Sequence, residues 1–132
     1  MRVFLDTNVL IDVLMLRAGC ESSCLVLSSE HHDFCVSVLT MANIAYIMRH
    51  ALKGEKLYDC LVSLNEILRV VSITEEQYEQ ALRLRASDFE DALQYYCALS
   101  CHSEVIVSRN VKDLTFSALP VLTPEEFITT NL

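Results

Sequence analysis

Four aspartates stand where a parallel α/β sheet would gather acids. Asp6 follows the apolar run Val3-Phe4-Leu5, which reads as a short buried strand, and precedes Val9-Leu10-Ile11 and Val13-Leu14 at helical spacing. Its carboxylate falls where a strand hands over to a helix, just beyond a strand's carboxyl end, where ligands and catalytic groups collect in open sheets. Asp88 and Asp91 lie three apart at the start of another helix, on one face with Tyr95, Ala98 and His102. Asp113 follows the apolar run Val105-Ile106-Val107 through the polar stretch Ser108-Arg109-Asn110-Val111-Lys112. Helix capping alone would account for Asp6 and Asp88. It does not account for Asp91, which sits beside Ala92-Leu93 on a helix that must pack against the sheet. Oxygen ligands converging at one sheet end suit Mg²⁺ or Mn²⁺. Two such ions, roughly 3.5–4 Å apart, activate water and stabilise the leaving oxygen in phosphodiester cleavage.

The elements that must position these acids alternate between strand and helix. After the opening unit, Cys20 to Ser29 reads as a helix and Phe34 to Val38 as a second strand. Leu39, Ala42, Ala45, Met48 and Leu52 recur at steps of three and four, which predicts a helix over 39–52; Leu57 to Leu68 is another after Gly54. Arg69 to Ile73 is a β-branched third strand. Thr74 and Gln77 form a capping box that opens a helix to about Ala86, and Ser87 and Glu90 form a second that opens a helix to about His102. Val105 to Val107 is a fourth strand and Pro120 to Leu122 a short fifth, before a helix start at Thr123-Pro124-Glu125-Glu126. This alternation predicts one domain over residues 1–132: a three-layer α/β/α sandwich with a parallel sheet of four or five strands, strand one central.

Composition narrows the function classes. The chain has 132 residues, 52% of them hydrophobic, with two glycines and two prolines, which suits a single folded core and excludes disorder. No apolar run approaches the ~18 residues needed to span a bilayer, and no signal peptide is visible, so a cytoplasmic location is expected. Six cysteines there are expected to be reduced, buried thiols rather than zinc ligands. A net charge of −8 counts against a broad nucleic-acid footprint but not against a carboxylate-based nuclease. Any phosphate contact must then be local, with Arg49, Lys53 and Lys56 on one stretch and Arg109 and Lys112 on another as candidates. Closed two-fold dimers are the commonest oligomers, and a homodimer through the helices near Arg49 to Leu68 is expected.

The order of these motifs resembles a PIN domain. It runs Phe4-Leu5-Asp6-Thr7-Asn8-Val9-Leu10, then Ser37, Thr40 and Asn43 at three-residue steps, then Asp88-Phe89-Glu90-Asp91-Ala92-Leu93-Gln94, then Ile106-Val107-Ser108-Arg109-Asn110 with Lys112-Asp113. Thr123 to Phe127 resembles the ending of one bacterial branch, and the likeness covers nearly the whole chain. The resemblance implies a metal-dependent ribonuclease selective for single strands, often the toxin of a bacterial toxin–antitoxin pair. Asp6 and Asp91 match family acids and would be primary Mg²⁺ or Mn²⁺ ligands, with Asp88 and Asp113 as secondary ones. Asn43 and Asn110 stand where many members have Glu and Asp; an amide oxygen can ligate a hard cation but brings no charge. They would orient water or phosphate. Asn8, Arg109 and Lys112 would contact substrate phosphate, and an antitoxin protein would be the partner. Thr7, Ser37 and Ser108 read as turn or cap residues.

Two other readings belong beside this one. A catalytically weak PIN-like module binding RNA or protein is motivated by the two asparagines, and metal-dependent turnover of single-stranded RNA separates it from the enzyme. A phosphoacceptor receiver domain also groups acids after parallel strands. It requires an aspartate after the middle strand, where this chain has Val70-Val71-Ser72-Ile73-Thr74.

Overall fold

Val3, Phe4 and Leu5 are all fully buried, so the first strand must be covered on both faces. In the computed structural model, which describes residues 1–131, the strands are β1 (Arg2–Leu5), β2 (Asp33–Ser37), β3 (Arg69–Val71), β4 (Val105–Val107) and β5 (Val121–Leu122). They form one parallel sheet of order β3-β2-β1-β4-β5, with β1 at its centre. The helices are α1 (Thr7–Leu14), α2 (Cys20–Leu27), α3 (Val38–Ile47), α4 (Glu55–Ile67), α5 (Glu75–Leu84), α6 (Phe89–Ser100) and α7 (Pro124–Asn131), and a 3₁₀ turn covers Val111–Leu114.

Side-chain alternation along β1 builds the two cores. Val3 and Leu5 pack with Val36, Val107, Ile44, Leu64 and Phe127 against α1 to α4 and α7. Phe4 packs with Cys35 and Ile106 against Tyr95, Cys97 and Ala98 of α6. The expected three-layer sandwich is thus the fold. All six cysteines are free, and Cys35, Cys97 and Cys101 are buried. No helix among the described residues is long and apolar enough to cross a membrane.

Element ends differ from the sequence reading where side chains cap. Ser37 Oγ accepts the Thr40 N–H at 3.1 Å, so β2 stops at Ser37 and Val38 belongs to α3 rather than to the strand. Helix α3 ends at Ile47, short of the expected Leu52, α4 begins at Glu55 rather than Leu57, and β3 stops at Val71 rather than Ile73. The Thr74–Gln77 capping box forms as expected. The second one does not: Asp88, not Ser87, caps α6, its Oδ1 accepting the Asp91 N–H at 3.1 Å. An ionised acid at that position also gains from the helix dipole, an advantage a serine lacks. At α7 Pro124 is the first helical residue, and Thr123 and Glu126 each accept the other's backbone N–H, at 3.1 and 3.3 Å.

Candidate functional site

The parallel register pairs Leu5 with Val107, and the Asp6 N–H donates to the Val107 carbonyl at 3.0 Å. One residue beyond each strand, Ser108 Oγ donates to Asp6 Oδ2 at 2.7 Å. Asp6 Oδ1 accepts from the Thr7 N–H at 2.8 Å. One oxygen therefore caps α1 while the other is held from β4, and Asn8 Nδ2 adds a donor to Oδ2 at 3.3 Å. Asp6 is only 8% exposed, and both its carboxylate oxygens are held by donors.

A buried polar network ties Asp91 to the same place. Thr7 and Thr40 share a hydroxyl hydrogen bond of 2.9 Å. Gln94 Nε2 donates to Thr40 Oγ1 at 3.0 Å, and Ser37 Oγ donates to Gln94 Oε1 at 2.7 Å. Gln94 lies one turn along α6 from Asp91, and Thr7 follows Asp6. The first turn of α6 is thereby fixed against the carboxyl ends of β1 and β2. Buried networks whose members are all satisfied hold a unique arrangement in this way.

The result is a cavity of about 260 Å³ at the carboxyl end of the sheet. Asp6, Asp88, Glu90, Asp91 and Asp113 line it together with Thr7, Asn8, Asn110, Ile11, Ile47 and Arg17. Burial, then the charges of Asp88, Asp6, Asp113 and Glu90, push the Asp91 carboxyl up to about 7. Burial also raises Asp6, against the hydrogen bonds from Ser108 and Thr7 that favour its ionised form. Glu90 is raised by burial and then by Asp88 and Asp6. These carboxylates repel one another, and protons or a cation would relieve them.

Six of the residues singled out in the sequence are brought together here: Asp6, Asn8, Asp88, Asp91, Asn110 and Asp113. Asn43 is not among the lining residues. Its amide donates to Glu90 Oε1 at 2.9 Å and so reaches the cavity only through that carboxylate. Arg109, expected at the substrate phosphate, is engaged within the fold. Its Nε donates to Asp12 Oδ2 at 2.6 Å, its Nη1 to the two Glu125 oxygens at 2.6 and 2.9 Å, and its Nη2 to the Gly19 carbonyl at 2.7 Å and Ser23 Oγ at 3.3 Å. That guanidinium clamps α1, α2 and α7 together and is not offered to a substrate phosphate. Lys112 does not line the acid cavity itself but an adjoining groove, with Thr123 and Glu126, that shares Asn110 and Asp113 with it. Both of Asn8's amide atoms are also engaged, Oδ1 accepting the Arg109 N–H at 3.1 Å, so Asn8 chiefly orients Asp6 and the loop after β4.

Sequence reasoning missed Glu90, Gln94 and Arg17. Glu90 lay within the quoted Asp88–Asp91 stretch, but was assigned to a capping box with Ser87. Gln94 closed the same motif. Arg17 had no signal of its own, because nothing local says that the turn after α1 comes back to the cavity.

A sequence model of the PIN domain matches residues 2–112. The chain belongs to the PIN domain family. Solved structures agree in fold. This PIN domain resembles a toxin–antitoxin complex from Klebsiella pneumoniae, with a TM-score of 0.73 at 22% identity over 92% of this chain and 97% of the other. It resembles VapBC-1 from nontypeable Haemophilus influenzae equally, with a TM-score of 0.73 at 21% identity over 95% and 99% of the two chains. The Mycobacterium tuberculosis toxin VapC20, described as cleaving the sarcin-ricin loop, scores 0.65 at 15% identity over 79% and 86%. No curated protein matches the chain by sequence.

PIN domains usually use divalent metal ions, and the donor chemistry of this cavity fits one. Every candidate ligand is a hard oxygen, and burial, with the charges of neighbouring acids, raises the Asp6, Glu90 and Asp91 carboxyls. Among the described residues no three His, Cys, Asp or Glu side chains already form a ready-made cage. Mg²⁺ does not require one, since it keeps several waters and is commonly held by one or two carboxylates. The Asn43–Glu90 contact gives a test of this crowding. Asn43→Glu replaces a donor with a second carboxylate beside Glu90, and should lower the stability of the metal-free protein by about 1 kcal/mol. Thermal melts should then show a larger Mn²⁺-induced rise in the variant than in the wild type. Equal rises would mean that position 43 does not sense the ion.

Proposed function

We propose that this PIN domain is a Mg²⁺- or Mn²⁺-dependent endoribonuclease that cleaves single-stranded RNA, acting as the toxin of a toxin–antitoxin pair. The observation that carries the reading is the convergence of Asp6, Asp88, Glu90, Asp91 and Asp113 in one cavity beyond the central strands. Two of the structures it resembles in fold are a toxin–antitoxin complex and VapBC-1, which supports an antitoxin protein as partner.

In this reading Asp6 and Asp91 would be the primary ligands of the ion, with Asp88 and Asp113 as secondary ones. A bound divalent cation supplies the charge neutralisation and Lewis acidity that make water a nucleophile near neutral pH. Ser108 aims Asp6 by donating to Oδ2, and that hydrogen bond favours the ionised form against the burial that raises the carboxyl. Asn110, at the cavity rim, orients water or a phosphate oxygen. Ile11 and Ile47 bound the cavity with apolar surface, which strengthens the electrostatics inside.

The test is cleavage of a labelled single-stranded RNA in Mn²⁺ by wild type, by wild type with EDTA and by Asp6→Ala. Cutting is expected only in the first. Folded Asp6→Ala protein that cuts like wild type would overturn the assignment. The alternative, a weakly catalytic binding module, is favoured by Asn43 and Asn110 standing in place of acids. It predicts RNA binding with no metal-dependent turnover.

A further inference from the structure

Net charge −8 and an acid-lined cavity pose a difficulty for a phosphodiester substrate, and the cations named from the sequence do not resolve it. Arg109 is fully engaged, Lys112 lines an adjoining groove that shares Asn110 and Asp113 with the cavity, and Arg49, Lys53 and Lys56 do not line the cavity. Among the described residues the one cation that lines the acid cavity is Arg17. We propose that Arg17 is the residue that takes the substrate phosphate at the mouth of this site, an assignment that rests on the ribonuclease reading.

The turn after α1 is built to bring Arg17 there. The Leu16 N–H donates to the Val13 carbonyl at 3.3 Å and the Arg17 N–H to the Asp12 carbonyl at 3.0 Å, which together make a Schellman motif. The left-handed position of that motif usually holds glycine. Here it holds Leu16, at φ 47°, whose side chain is 78% exposed and gains nothing from packing. The motif reverses the chain, and Arg17 returns beside the helix that Asp6 caps.

The guanidinium is held loosely. Its nearest acid is Asp12 Oδ1 at 3.9 Å, and its other contact is the Met15 sulfur at 3.8 Å. The side chain is 50% exposed. Asp12 does not depend on it, because Arg109 already donates to Asp12 Oδ2 at 2.6 Å. Arg17 can therefore leave Asp12 without stranding a buried charge, and a phosphate offers its planar fork the bidentate partner that Asp12 does not. One arginine of the pair around Asp12 is structural and the other is free to bind.

Arg17→Ala, Arg17→Lys and wild type should be compared in three measurements. These are steady-state cleavage of a single-stranded RNA dodecamer in Mn²⁺, anisotropy titration of the same RNA in Ca²⁺ across a salt series, and thermal melting. Arg17→Ala should raise KM about tenfold with kcat changed less than about twofold, since the contact is made in ground and transition states alike. Its affinity should fall by a similar factor, and the slope of log K against log salt should shrink by about 0.7, the value for one phosphate contact to a single strand. Arg17→Lys should restore most of the slope. Unchanged affinity and slope in Arg17→Ala would overturn the proposal, as would a fall in Tm with no change in slope, which would make Arg17 a counter-ion of Asp12 alone. Failure of the wild type to bind or cut RNA would overturn the ribonuclease reading and this proposal with it.

Discussion

Asp91→Asn is expected to abolish cleavage and yet make the metal-free protein more stable above neutral pH. The two effects share one cause. Burial and the neighbouring Asp88, Asp6, Asp113 and Glu90 push the Asp91 carboxyl up to about 7 from its ordinary 3.8. A carboxyl raised on folding binds a proton more readily in the folded chain than in the unfolded one. Asp91 therefore costs no stability below about pH 4, its penalty grows as pH rises through the window from about 4 to 7, and the full penalty applies above it. An amide of the same shape carries no charge and removes the penalty. The side chain is only partly buried, so solvent screens the like charges and the gain should be about 1 kcal/mol, a few degrees in Tm. With EDTA present, the melting curve of the variant should vary less between pH 5 and pH 8 than that of wild type. Cleavage should fall by about a hundredfold or more, since losing even a supporting residue of a metal site costs 10–100-fold. The Mn²⁺-induced rise in Tm should shrink with it. A variant that is less stable than wild type at pH 8, or that still cuts RNA at full rate, would show that Asp91 is a structural acid.

Arg109→Ala should produce the largest loss of stability. Its guanidinium joins Asp12 of α1, the Gly19 carbonyl and Ser23 around α2, and Glu125 of α7. The Asp12 side chain is only 10% exposed, and Arg109 is its one short-range cation. Removing one partner of a buried pair leaves Asp12 with only Arg17, at 3.9 Å, which costs about 3 kcal/mol. For a chain of this size that is roughly 10 °C in Tm. Lysine should recover less than about half, because an ammonium lacks the planar fork that reaches all four partners. A double variant with Asp12→Asn should be less damaged than the sum of the single changes, because the stranded charge is gone. Urea or thermal denaturation of wild type and these four variants checks this. A single variant within about 0.5 kcal/mol of wild type would mean that solvent already neutralises Asp12.

The contrast between the two arginines shows the limit of reading sites from residue type. Arg109 follows a strand at the sheet's functional end, which is where a phosphate-binding cation belongs, and by sequence it is the better candidate. Its destination depends on Asp12, Glu125 and Gly19, which are remote in the chain and carry no local mark of being its partners. Arg17 depends on a turn held by Leu16 in a conformation that sequence assigns to glycine.

Much was nevertheless determined by local sequence. The apolar run of β1, buried on both faces, required a parallel sheet covered by helices. The helix-start signals at Thr74 and Thr123 marked two boundaries, because a cap acts over three residues. Asp6, Asp88, Asp91 and Asp113 could be named because each lies at a strand's end or a helix's start, and parallel strands put all such positions at one end. Tertiary structure alone decided the rest. Register across β1 and β4 set Ser108 on Asp6; the Thr7–Thr40–Ser37–Gln94 network set α6 over the strand ends; and the Asn43–Glu90 contact joined two helices whose residues are 47 positions apart. Local periodicity tells which face a side chain occupies, but the partner it meets across that face depends on how the packed layers stack, and that is fixed only when the whole core closes.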